Sequence, residues 1–390
     1  MIFSLLLAIM ATPTTVAEND IVKIAPEDAI YIRYLSSDKV DDKEGYLALV
    51  SFTLNSVSKS KQIVKPLFVD KEQSVIRFDL RDYDIDPKIY EVLPVDPYGK
   101  KSEKLNEVTK SKNALIRVDW FIIKSLETPI YYKLLGVSNL KGFRSRYGDN
   151  GAAKKVRAEQ AAVVILSNLS RYTRYIKRIP TVTGSVWEAR DSSTIDYLSD
   201  LLSDKYDSIQ LVAFNANGLL SYFAADNKGR AMEHLPVEIA IDRSRVFEPD
   251  LVVRMARSCI ACHTVGILPV DDSVRKIKND FQINGTNKDA TDRLNDLFGS
   301  DLPVEKDQDI YKAALLKATG MDMKTFTRKF VEVWTNYYKD VTLEQAAKEL
   351  DVDVEVFKKE CLNSKQVYLL DLAVRGKISR VRFEKLLETK

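Results

Sequence analysis

From residue 43 onward, apolar positions follow two different periods. In KEGYLALVSFTLNSVSK (43–59), Tyr46, Leu49, Val50, Thr53, Leu54 and Val57 recur at helical spacing, which predicts an amphipathic helix. In VIRFDLRDY (75–83), Val75, Arg77 and Asp79 alternate with Ile76, Phe78 and Leu80, the pattern of a half-buried strand. The apolar run ALIRVDWFII (114–123) fits either a strand or a buried helix. QAAVVILSNL (160–169) reads as a buried strand, and IQLVAFNANGLLSYFAAD (209–226) as two strands about an Asn-Ala-Asn-Gly turn. Residues 18–245 are therefore expected to form an α+β module. Beyond Asp242 helical periodicity takes over, near 249–262, 270–282, 305–318, 323–339, 342–350, 353–362 and 379–388. This predicts an all-α domain over 246–340, followed by a helical hairpin over 341–390 packed on it. NGTNKDATD (284–292) reads as a loop, and there is no internal repeat.

The first residues change the picture of where the chain works. In MIFSLLLAIMATPTTVAEND, residues 2–11 are apolar, Pro13 breaks the run, and Thr15, Val16 and Ala17 offer a small-x-small cleavage site. Residues 1–17 are expected to be a signal peptide, making the mature chain periplasmic or otherwise extracytoplasmic. The block is half the roughly 20 residues a membrane span requires, so no span is expected after cleavage. With 390 residues and 45% apolar content the chain can bury more than one ordinary core. Its 59 basic and 56 acidic residues leave a net charge of +3, so no bulk field favours nucleic acid or an anionic surface, and partners must be argued locally.

The chemistry concentrates in RSCIACHTVG (257–266). Of three cysteines and two histidines in the chain, Cys259, Cys262 and His263 fall within five positions. This is the C-x-x-C-H spacing of covalent c-type haem attachment. On a helix, residues three and four apart share a face, so both thiols and the imidazole can address one planar ligand. The thiols would form thioethers and His263 would ligate iron from the proximal side. From composition alone the pattern arises by chance on the order of one time in ten thousand. Competing readings are a thioredoxin-like redox pair, a zinc site completed by Cys361 or His234, and a short-loop disulfide. Cys361, four residues after Phe357 on a helical face, reads as a buried small apolar residue.

The flanks add a resemblance. PDLVVRMARSCIACH places Pro249 and Asp250 at a helix start and Leu251, Val252, Met255 and Ala256 in an apolar stripe leading to the cysteines, with Gly266 and Pro269 following in HTVGILP. The stretch resembles the haem-binding segment of class I cytochromes c. The resemblance implies that Pro269 wraps the proximal side of one covalent haem c, its carbonyl holding the second nitrogen of His263. It also implies a distal methionine several tens of residues downstream, for which Met321 and Met323 are the candidates. His234 is an alternative imidazole, and an open or water-bound iron is a further one. More widely, RYLS (33–36), FTLNSVSKS (52–60), IRFDLRDYDID (76–86), RVDWF (117–121), SRYTRYIKR (170–178), GSVWEARD (184–191), FNANGLLSYF (214–223) and SCIACHTVGI (258–267) follow in an order similar to a family of exported bacterial proteins bearing one c-type haem. That similarity implies the domain order and the haem, and no substrate.

Two further features bear on partners. Ten Lys or Arg lie between Lys141 and Arg178 against Asp149 and Glu159, either a solvated basic face or a surface for haem propionates or an acidic redox protein. TLEQAAKELDVDVEVFKK (342–359) has the cadence of a helix-turn-helix, but its acidic second helix and the expected export argue against nucleic acid. Three functions remain in play. They are electron transfer through a single haem to an unidentified partner, a haem enzyme with an open distal site, and a ligand-sensing module over residues 21–240 with an accessory haem.

Overall fold

The structure, a computed structural model, describes residues 28–37, 40–86, 88–89, 93, 115–147, 159–165, 167–243, 251–277, 288–350 and 352–388. The expected signal peptide (1–17), Pro249 and Asp250, and 284–287 of the expected loop lie outside the described residues. Among the described residues no helix is long and apolar enough to cross a membrane.

The first half builds two sheets around one helix. β1 (Ile32–Ser36), β2 (Leu67–Phe68), β3 (Val75–Asp79) and β4 (Ile116–Arg117) form a sheet in the order β2-β3-β1-β4, with β1 antiparallel to β3 and parallel to β4. Helix α1 (Lys43–Val57) starts where Asp42 accepts a hydrogen bond from Gly45 N at 2.9 Å. It is less amphipathic than its sequence suggests, because Ser51, Thr53, Asn55 and Ser56 are buried along with its apolar face. Hydrogen bonds permit this for three of the four: Ser51 Oγ donates to Ala318 O (2.8 Å), Asn55 Nδ2 to Val64 O (2.6 Å) and Ser56 Oγ to Thr53 O (2.8 Å). The ambiguous run at 114–123 is both things in turn, since β4 passes directly into α2 (Val118–Ser125). Helices α3 (Thr128–Leu135) and α4 (Leu140–Tyr147) follow.

The second sheet is an antiparallel meander of β5 (Gln160–Val164), β6 (Arg174–Thr181), β7 (Gly184–Asp191), β8 (Ser208–Phe214) and β9 (Leu220–Asp226), paired in chain order. The turn expected between the last two strands is present, with Gly218 at φ +89° and its Cα facing Ala314 so closely that a Cβ would lie 3.0 Å from that side chain. Then come α5 (Arg257–His263), α6 (Ser273–Ile277), α7 (Lys288–Phe298), α8 (Val304–Thr319) and α9 (Met323–Tyr338).

These helices correct the expected fold class. The α+β reading fits the N-terminal part, but residues 246–340 are not an all-α cytochrome-c-like haem domain: the chain is mixed α/β, and its later helices pack on the earlier sheets. Leu35, Phe52, Phe121, Leu211, Phe223, Ile260, Tyr311 and Trp334 belong to one hydrophobic core. Val274, Leu294, Leu297 and Phe298 cover Ala161, Val163 and Tyr175 of β5 and β6. Asp307 of α8, fully buried, accepts from Arg178 Nε and Nη2 (2.8 Å each), Ser185 Oγ (2.6 Å) and Trp187 Nε1 (2.8 Å), fastening α8 to the meander. Helical periodicity reports that one face is buried but not what buries it. Residues 288–292, expected to be a loop, form the first turn of α7, whose buried positions are Leu294, Leu297 and Phe298.

The C-terminal segment is more than a hairpin. α10 (Leu343–Leu350), α11 (Val354–Leu362), α12 (Val367–Arg375) and α13 (Arg380–Glu388) surround a separate cluster containing Phe357, Cys361, Leu372 and Phe383. Two short strands, β10 (Val341–Thr342) and β11 (Lys377–Ile378), pair Val341 with Ile378. Arg117 of β4 holds Glu349, which Arg380 also holds from within the segment, and Lys124 of α2 reaches Glu384 at 3.0 Å, tying this segment to β4 and α2.

Candidate haem-attachment site

The helix carrying Cys259, Cys262 and His263 is shorter than expected. Leu251–Val253 are not helical, and α5 starts only at Arg257. It is launched by Ala256 at φ +61°, ψ −70°, with Arg257 N donating to Met255 O at 2.9 Å. This is a three-residue γ-turn of the rare, strained kind. It is held from outside: Thr128 Oγ1 donates to Met255 O (2.9 Å) and Met255 N to Glu233 O (2.9 Å). A long helix running into the cysteines, as in class I cytochromes c, is therefore replaced by a sharp turn and one short helix.

α5 separates two surroundings. At about 100° per residue, Cys259, Cys262 and His263 leave the helix on the side opposite Arg257. Arg257 is buried, its guanidinium 5.7 Å from the Trp334 ring centre and 5.9 Å from that of Tyr338. Cys259, Cys262 and His263 are half-buried, and neither thiol is in a disulfide. Burial, with the neighbouring Cys262, pushes the Cys259 thiol up to about 12, and burial with the Asp242 carboxylate raises that of Cys262. Thiols held neutral lack the lowered pKa that a thioredoxin-like nucleophile needs. Among the described residues no three His, Cys, Asp or Glu side chains converge on a point that could hold a metal ion.

His263 is oriented by its own loop. Its Nδ1 lies 2.9 Å from Gly266 O, and because a carbonyl only accepts, Nδ1 carries the proton and Nε2 presents its lone pair. Burial lowers the imidazole pKa against the opposing effect of that hydrogen bond, with the Arg174 cation lowering it further, so the ring is neutral at neutral pH. Gly266 is at φ +88°, and a Cβ there would lie 2.9 Å from the Tyr311 ring. Gln308 Nε2 donates to Val265 O (3.1 Å) and Tyr311 Oη to Thr264 O (3.3 Å), so α8 clamps residues 264–266. The carbonyl role that the cytochrome resemblance assigns to Pro269 thus belongs to Gly266, and Pro269 is solvent-exposed.

Sequence reasoning missed Tyr222. It sits in β9, fully buried, with its ring centre 5.8 Å from that of His263 and the planes at 38°. Its hydroxyl has no hydrogen-bond partner among the described residues. Burial raises its pKa far above the ordinary value, and Tyr311, Tyr131 and both thiols add to that. A buried hydroxyl left without a partner costs about 1–3 kcal/mol. The donor set itself, two half-buried thiols and an imidazole presenting Nε2 on one side of α5, fits a c-type haem. Tyr222 was visible only as one more apolar residue in LLSYF.

The distal candidates stand elsewhere. Met321 and Met323 are half-buried where α8 meets α9, packed on the main core. Tyr311 marks the end of α8 near Gly266, whereas Ala318, about 10 Å of helix further on, is already bonded to Ser51 of α1. Both methionines thus sit at the far end of α8 from the His263 loop. His234 bridges to Arg254 and lines a cavity of about 350 Å³ with Lys124, Glu127, Arg257, Tyr338 and Glu384, on the side of α5 away from the thiols. The expected basic run is split: Arg174 and Arg178 are buried, whereas Lys141, Arg144 and Arg171 are exposed. Arg174 pairs with Asp191 (2.8 Å), Lys177 with Glu159 (2.8 Å), Arg178 with Asp307 (2.8 Å) and Arg144 with Glu188 (2.8 Å); Lys154, Lys155 and Arg157 lie outside the described residues.

No family model, no curated protein and no solved structure matches the chain.

Proposed function

We propose that the chain is an exported c-type haem protein that passes electrons through a single haem held by thioethers at Cys259 and Cys262 and ligated by His263. The observation that carries this reading is the C-x-x-C-H helix whose histidine is already a neutral, Nδ1-protonated imidazole with Nε2 left for a metal. When bound, such a haem supplies one-electron exchange between ferrous and ferric iron, tuned by its axial ligands and burial. The chain's own residues position it. Gly266 O fixes the imidazole, α8 clamps the loop behind it, and Tyr222 offers the unsatisfied hydroxyl beside it. Attachment would use both half-buried thiols and leave Cys361 in the C-terminal core, which suits an oxidising compartment.

A second reading, a haem with an open sixth position that binds or turns over a small exogenous ligand such as peroxide, is favoured by one observation. Met321, Met323 and His234 all lie away from the His263 loop.

The test is production in cells with a haem-attachment system, followed by mass measurement and a pyridine haemochrome spectrum. Wild type is expected to carry one covalent haem, Cys259→Ala or Cys262→Ala to lose one thioether, and the double variant to lose covalent haem. A colourless wild-type chain with the mass of its amino acids alone refutes the reading. Carbon monoxide then separates the two forms: rapid binding by the ferrous protein supports the open position, and none supports a protein-ligated, electron-transferring haem.

A further inference from the structure

Helix α12 (Val367–Arg375) is apolar on two opposite sides. Leu372 is fully buried and Leu369 and Ala373 pack beside it in the C-terminal cluster. On the outward side, Val367, Leu370 and Val374 recur at helical spacing and are 73%, 41% and 70% exposed. The outward side of a surface helix ordinarily carries charge. Nor is the helix isolated in this: eight of the 17 large hydrophobic residues exposed among the described residues fall within 352–381, including Val356 on α11 and Val381 on α13. Such a concentration on one small module marks an interaction surface.

Around the ridge the charge is basic. Lys365 precedes it, Arg375 and Lys377 follow it, and Arg382 and Lys385 flank it on α13, all exposed. The single carboxylate on the outer side, Asp371, is held by Arg375 at 2.9 Å and Arg382 at 4.0 Å. Arg382 also covers the Tyr368 ring at 5.3 Å. Lys377 pairs with Asp340 at 3.3 Å yet its side chain remains 64% exposed.

We propose that the outward side of α12 docks on an anionic lipid surface, with Val367, Leu370 and Val374 entering the headgroup region and the basic rim meeting lipid phosphates. An apolar face bordered by Lys and Arg is the pattern of an interfacial helix. A second copy seated on the ridge would bring the same cations together. A partner helix needs a groove, whereas three side chains on the outside of one helix make a ridge. The net charge of the whole chain, only +3, is silent on this; the local rim is what attracts. The surface lies on the C-terminal module, so the proposal stands or falls independently of the haem.

The experiment uses the full chain with vesicles of phosphatidylglycerol and phosphatidylcholine in equal parts, against phosphatidylcholine alone, read by co-sedimentation. Binding is expected to the anionic vesicles, weakened by salt and weak on the neutral ones. Val367→Asp with Val374→Asp is expected to lower partitioning at least about tenfold, and Arg375→Gln with Lys377→Gln about tenfold. Both pairs are exposed, and circular dichroism checks that the variants fold. Absence of binding to anionic vesicles overturns the proposal, as does binding that neither pair of substitutions reduces. Self-association in sedimentation equilibrium that the valine substitutions abolish, without vesicle binding, assigns the ridge to a second copy instead.

Discussion

A phenol hydroxyl shut away from water without an acceptor is a local instability, and Tyr222 places one beside His263. The two states of the site should therefore respond differently to its removal. In the haem-free chain Tyr222→Phe is expected to be neutral or stabilising by about 1 kcal/mol, measured by urea unfolding. In the haem-loaded protein the same change is expected to shift the reduction potential and the Soret band. A haem-free chain destabilised by the substitution would show that the hydroxyl already has a protein partner. At this scale the sequence was legible where covalent spacing sets geometry: Cys259, Cys262 and His263 share a side of α5 because they are three and four residues apart. It was not legible for Tyr222 or for the carbonyl of Gly266. A tyrosine in an apolar strand looks the same whether or not its hydroxyl is satisfied, and any backbone carbonyl can take the role given to Pro269.

Among elements, the turn–helix–loop unit of residues 254–266 is the most constrained. Its start is strained at Ala256 and its end requires Gly266, where φ is +88° and Tyr311 leaves no room for a Cβ. Gly266→Ala is expected to destabilise the chain by about 1–3 kcal/mol by chemical denaturation, and to lower the yield of covalent haem by releasing the carbonyl that orients His263. Unchanged stability and haem yield would mean that the loop rearranges freely. The element readings divide in the same way. Alternation in 75–83 and 209–226 and helical spacing in 305–318 and 323–339 gave strands and helices close to β3, β8, β9, α8 and α9, because one buried side imposes a period. Helix α5 was expected to be twice its length, since Leu251, Val252 and Met255 are apolar at helical spacing, although Leu251 and Val252 are half-buried in a non-helical segment and only Met255, in the turn before α5, is buried. The cations of β6 and β7 each lie beside a carboxylate: Arg174 beside Asp191 across the ladder, Arg178 beside Asp307 on α8, Lys177 beside Glu159, and Arg190 beside Glu188 two residues back on its own strand.

For the whole molecule the decisive feature is a core shared by residues on both sides of 245. Asp307 is its polar fastening, taking Arg178, Ser185 and Trp187 of the meander at once. Asp307→Asn leaves a buried guanidinium uncompensated and is expected to cost about 3–5 kcal/mol. Calorimetry should show the meander and α8 melting together at the lower temperature, whereas a variant that loosens only one of them, in a separate transition, would contradict the shared core. What the sequence by itself determined is that two thiols and an imidazole share one side of a helix within five consecutive residues, and the period of most elements, because both depend on neighbours along the chain. Tertiary structure alone decided that α6, α7 and α8 pack on the meander, that Arg174 and Arg178 of the basic run are neutralised inside the fold by Asp191 and Asp307, and that Tyr222 meets His263. Those outcomes depend on which buried surfaces and charges find each other across separations from 17 residues (Arg174 and Asp191) to 129 (Arg178 and Asp307), and residue order along the chain does not encode those meetings.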